Sequence, residues 1–74
     1  MDEKLISILE ELKPDVNFRE EKGLIDNAIL DSFDIVQLVQ QLNEAFDIEI
    51  TPKDIVPENF NSAESLWNMI QELQ

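Results

Sequence analysis

Apolar residues recur at Leu5, Ile6, Ile8, Leu9 and Leu12, a spacing of three and four that lays one stripe along a helix. Pro14 cannot continue that pattern, so a first helix is predicted over about 3–13, with Asp2 and Glu3 where the helix dipole favours acids. Residues 14–31 hold no sustained period, yet Val16, Phe18, Leu24, Ile25, Ile29 and Leu30 supply apolar groups to pin against a core. The expectation is a packed loop with a short turn of helix near Phe18 to Lys22. The strongest stripe follows, Ile35, Leu38, Val39, Leu42, Ala45 and Phe46, opposed by Gln37, Gln40, Gln41 and Glu44. Asp31 is a suitable N-cap and Asp34 a favourable first-turn acid, and this second helix should end near Phe46 to Asp47.

Ile48-Glu49-Ile50 alternates like a strand but has no partner strand in the chain. Pro52 suits the first turn of a short helix over Pro52 to Val56, capped by Thr51 and ended by Pro57. A last helix is predicted from Ala63 to Leu73, capped by Ser62, with Leu66, Trp67, Ile70 and Leu73 inward. Trp67 and Phe46 read as core aromatics rather than a ligand-stacking pair. The fold class is all-α: a small four-helix bundle of three main helices and one short one, with a long first loop, in a single domain spanning residues 1–74.

With 74 residues and 43% hydrophobic content, the chain has the composition of one small globular unit. A unit of this size buries only about 60–65% of its unfolded surface, so a single core must serve. No Rossmann domain or TIM barrel fits, and the lone glycine, Gly23, excludes a glycine-rich phosphate loop. The absence of His and Cys removes a Ser-His-Asp triad, a His base, a thiol nucleophile, a zinc knuckle and any disulfide framework. The residues at hand point away from a self-sufficient active site.

Charge sharpens this. The net charge is −12, and residues 23–74 carry ten acids against Lys53 alone. Nucleic acids and anionic membranes require the opposite sign, whereas such a field draws basic protein surfaces. The first residues carry Asp2 and Glu3 and no long apolar run, so no signal peptide or membrane span is expected, and the cytoplasm is the expected compartment. Asp47, Glu49, Thr51 and Glu58 take the spacing of a calcium loop, but Pro52 stands where the loop's sharp turn needs glycine.

The chemistry-bearing stretch is Ile29-Leu30-Asp31-Ser32-Phe33-Asp34-Ile35-Val36. With Asp31 as cap, Ser32 falls at the first helical position, hydroxyl outward, over free N–H groups and the positive dipole end. Phe33 and Val36 fall off the inward stripe and leave an apolar ridge beside the serine. Locally, this remains open to a plain reading as an Asp-Ser capping pair with Phe33 turned inward.

The order of helix, long loop, Asp-Ser-hydrophobic, long helix, short helix and final helix resembles the acyl carrier protein family over essentially the whole chain. Leu30-Asp31-Ser32-Phe33 lies in register with that family's Gly-x-Asp-Ser-Leu motif. Leu42 to Ile50 is similar to the family's end of the second helix, and Pro57 to Ser62 to the approach to its last helix. The resemblance implies a discrete acyl or aminoacyl carrier in which Ser32 bears a 4′-phosphopantetheine arm taken from coenzyme A, holding intermediates as thioesters. It further implies a phosphopantetheinyl transferase, a loading ligase or transferase, and downstream acyl-accepting enzymes with basic docking surfaces. Asp31, Phe33, Asp34, Val36, Gln37 and Gln40 would meet those partners. The protein would be a substrate of enzymes, not one itself, and a monomer is expected because no second large apolar face remains after one core is built. Ile29 replaces the motif's glycine, Phe33 its leucine, and Gln37 and Gln40 stand where fatty-acid carriers often show an acid and a methionine. Aspartate before the serine also separates the chain from peptide-synthetase carriers, which read Gly-Gly-x-Ser. Cargo stays open among fatty acyl, polyketide and single amino acids. The alternative is an acidic helical adaptor with Ser32 unmodified.

Overall fold

The computed structural model describes residues 2–74. Helix α1 spans Glu3–Leu12, α2 Ser32–Phe46, α3 Pro57–Phe60 and α4 Ala63–Leu73, with a single 3-10 turn at Pro52–Asp54 and no strand among the described residues. Asp2 caps α1 by accepting the N–H groups of Lys4 and Leu5 on its carboxylate at 2.8 and 3.2 Å. Ser62 and Ser65 exchange side chain and backbone at the start of α4, a capping box. α1 packs on α2 and α4, and α3 on α4. Leu5, Leu9, Leu38, Leu42, Leu66 and Ile70 fill the centre, fully buried. With no cysteine to form a disulfide, the chain has that apolar burial as its main support.

The first loop behaves as a packed segment. Phe18, Leu24 and Leu30 are buried, and Val16, Ile25 and Ile29 lie against the core half-buried. Near Phe18 to Lys22 the chain makes one short turn, as expected, in which the carbonyl of Asn17 accepts from both Glu20 and Glu21. Burial of Phe18 with exposed acids around it gives the segment one anchor, too little to propagate a helix. Further along, Asn27 N–H bonds to the Gly23 carbonyl, and Ala28 and Ile29 close back on Ile25 and Leu24, a Schellman pattern. Ala28 occupies the left-handed position at φ 57°. Glycine there should remove roughly 1–2 kcal/mol of steric cost while adding roughly 0.4–1 kcal/mol of unfolded-chain freedom. Ala28→Gly is therefore expected to raise the melting temperature, at roughly 4–8 °C per kcal/mol. A lower melting temperature would contradict the left-handed assignment.

The short helix lies later than the sequence pattern suggests. The turn begun at Pro52 stops at Asp54, and Pro57 starts a helix rather than merely ending one. Asp54 accepts both the N–H and the hydroxyl of Thr51 at 3.0 Å each, which closes the turn early. Val56 precedes proline and takes the extended geometry that this forces, φ −126° and ψ 153°, so no helix can run through it. Proline at the first position of α3 is the arrangement its fixed φ favours. In α4 the inward side is Ala63, Leu66, Met69 and Ile70, while Trp67 and Leu73 are half-buried. Trp67 instead tilts against Phe46, with ring centroids 5.8 Å apart.

Candidate functional site

The turn from Leu30 to Asp34 is held from both sides. Leu30 is buried, and Asp31 leaves it in extended geometry, φ −98° and ψ −178°, as the cap of α2. Asp34 donates its N–H to Asp31 Oδ1 at 2.9 Å, and Asp31 donates its own to Asp34 Oδ2 at 3.2 Å. The carbonyl of Asp31 takes the first regular helical bond, from Ile35 at 3.0 Å. The N–H groups of Ser32 and Phe33 are thereby left outside the helical ladder, at the positive end of the longest helix.

Ser32 is exposed, the first residue of α2. Phe33 is 68% and Val36 56% exposed, the ridge that the stripe analysis placed beside the serine. Ile55, 39% exposed, adds a third large apolar side chain to the surface. Gln40 and Asp31 face solvent, and Gln37 is half-buried. Asp34 differs from its expected outward role: it is only 8% exposed and reaches Lys13 Nζ at 3.1 Å from Oδ2. Burial alone would raise its pKa. The bond from the Asp31 backbone and the Lys13 ammonium outweigh that and hold the carboxyl below its ordinary range. Asp34 is thus ionised, paired and committed to the fold.

Sequence reasoning missed Lys13, whose partner lies across the first loop. It also missed Asn61, which ties that loop to the end of α3. Asn61 Oδ1 accepts from Ile25 and Asp26 at 3.0 and 3.1 Å. Its carbonyl accepts from Leu24 at 2.9 Å. Side-chain amides bonding this far along the chain leave no local pattern. Beneath the serine's end of α2, Ile25, Ile35, Ile55, Val56, Pro57 and Phe60 line an apolar cavity of about 210 Å³.

An outward hydroxyl over unbonded helix N–H groups suits a covalently attached phosphodiester, whose charge the helix end would stabilise. Asp31 opposes that charge, while the charge of Asp34 is already offset by Lys13. The residues present therefore fit such a group. No group of three or more His, Cys, Asp or Glu side chains among the described residues could hold a metal ion, and no helix among them is long and apolar enough to cross a membrane.

Comparison with known proteins agrees with this geometry. Residues 4–70 match the family model described as a phosphopantetheine attachment site. The chain is 32% identical over 74 residues to a D-alanyl carrier protein of Lactococcus lactis subsp. cremoris, covering 97% of this chain and 94% of that one. It is 31% identical over 72 residues to the D-alanyl carrier protein of Streptococcus sanguinis, covering 96% and 91%. With that of Streptococcus uberis the identity is 28% over 75 residues, covering 100% and 95%. A family model matched from α1 into α4 and relatives matched along nearly their full length leave one conclusion. The chain belongs to the phosphopantetheine-binding carrier protein family, a non-catalytic bearer of a covalent 4′-phosphopantetheine arm and a substrate for partner enzymes.

Proposed function

We propose that residues 1–74 form a single carrier domain, that Ser32 is the residue to which the arm is attached, and that the cargo is a single aminoacyl group. The observation that carries the attachment is the exposed serine at the first position of α2, between the capping Asp31 and the exposed Phe33. The names of the relatives, D-alanyl carrier proteins, support an aminoacyl cargo. Attachment joins Ser32 Oγ to the pantetheine-bearing phosphorus of coenzyme A's diphosphate, the P–O bond to the adenosine side breaks, adenosine 3′,5′-bisphosphate leaves, and the serine proton passes to the transferase. Once bound, the arm supplies the thiol that this chain lacks.

The protein's own residues orient and present. Asp31 caps the helix and keeps Ser32 outward. Phe33, Val36 and Gln40, with the half-buried Gln37, form the face for a phosphopantetheinyl transferase, a loading ligase and a downstream acyl-accepting enzyme. The acidic surface hastens encounter with basic docking sites on those partners. A monomer is the matching state, since the large apolar side chains left exposed among the described residues are only Phe33, Val36 and Ile55, and we place it in the cytoplasm.

Intact mass after incubation with coenzyme A and a broad-specificity phosphopantetheinyl transferase tests the attachment. Wild type should gain one arm and Ser32→Ala none, with both folded by circular dichroism. A gain on Ser32→Ala would move the site elsewhere. A folded wild type left unmodified by several transferases would favour an acidic adaptor with a free Ser32.

A further inference from the structure

Three of the five basic residues make specific contacts, and each contact joins separate parts of the fold. Arg19 pairs with Glu3 at the start of α1. Lys4 donates to the Ala45 carbonyl and lies 5.1 Å from the centre of the Phe46 ring, closing the far end of α2. Lys13, just past α1, reaches the opposite end of α2, where its ammonium meets Asp34. One oxygen, Asp34 Oδ2, accepts both from Lys13 at 3.1 Å and from the Asp31 backbone at 3.2 Å. Because Asp34 is 8% exposed, little water can replace the ammonium if it is lost. A carboxylate left with one neutral donor would turn outward for hydration, and the bond holding Asp31 would open.

We propose that Lys13 is a positioning residue for the modification of Ser32. By pinning Asp34 it keeps the Asp31–Asp34 box closed, and so fixes the direction in which the neighbouring hydroxyl leaves the helix. The inference rests on Ser32 being the attachment residue. It assigns Lys13 an effect opposite in sign to simple electrostatics. Removing a cation makes the surface more acidic and should speed encounter with a basic transferase, whereas a loosened turn slows the chemical step.

The test is the steady-state rate at which a broad-specificity phosphopantetheinyl transferase and coenzyme A modify Lys13→Met and Lys13→Arg, well below their melting temperatures. In Lys13→Met, kcat should fall on the order of 10-fold, less than the roughly 100-fold of a full 1 Å misplacement, with KM for the carrier little changed. Lys13→Arg should recover most of the rate. So should Asp34→Asn added to Lys13→Met, since an amide oxygen still accepts from Asp31 with no charge to offset. An undiminished or raised kcat in folded Lys13→Met overturns the proposal, as does Lys13→Arg remaining equally slow. Amide exchange reads the turn without any enzyme. The Asp31 N–H should exchange faster in Lys13→Met while Met69 is unaffected, and unchanged exchange at Asp31 overturns the proposal. An unmodified wild type is a failure of the Ser32 reading itself and is seen in the control reaction.

Discussion

Alanine at Phe60 is expected to lower the unfolding free energy by about 3–5 kcal/mol, the usual range for emptying a buried aromatic site. Phe60 is 1% exposed and forms one wall of the 210 Å³ cavity, so truncation would enlarge an existing space instead of allowing the surroundings to close. A 74-residue chain has a total stability of about 4–11 kcal/mol at roughly 0.05–0.15 kcal/mol per residue. The variant should therefore lose a large share of that stability. Urea unfolding followed by the fluorescence of Trp67, half-buried against Phe46, reads the effect as a lowered midpoint with little change in slope. Phe60→Leu should lose much less. A midpoint for the alanine variant equal to that of wild type would mean that Phe60 is not packed as described. The consequence reaches the serine because Ile35, in the first turn of α2, lines the same cavity.

Leucine at Asn61 should be the second most damaging change, at about 2 kcal/mol. It removes the acceptor of the part-buried Ile25 N–H, whereas the Asp26 N–H that it also holds is exposed and can turn to water. The volume is similar, so the loss reports hydrogen bonding rather than packing. The expected signature is local as well as global. Amide protection at Ile25 should fall well before that of α4, because the loop loses its tie to α3 while the bundle keeps its core. Asn61→Asp keeps an acceptor but places a second charge beside Asp26, and should lie between leucine and wild type. Equal protection at Ile25 in all three would show that the backbone bond from Leu24 to the Asn61 carbonyl holds the loop unaided.

Much of the site could be read before any coordinates. Asp31 caps, Ser32 opens the helix, and Phe33 and Val36 stand exposed, because caps and helical periodicity act over three or four residues. Asp34 was half legible. Its place in the first turn follows from spacing, but its inward orientation depends on Lys13 arriving from the far side of the loop. Pro57 shows the same limit in the backbone. A proline can end one helix or begin another, and here it begins α3, whose Phe60 is buried. Nothing in the residues around Ala28 announces a left-handed alanine, since the turn is set by bonds to Leu24 and Ile25 and by its neighbours' burial.

The all-helical class, the extents of the three long helices within a residue or so, the acidic surface and the serine at the start of α2 are legible in the residues alone. Each of these follows from composition or from interactions within one or two helical turns. Tertiary packing, by contrast, ties the first loop down through Asn61, commits Asp34 to Lys13, and gathers Ile25, Ile35 and Phe60 along one apolar pocket. Those features join residues separated by much of the chain. Their free energy depends on which surfaces the packed core brings together, and no local pattern encodes that.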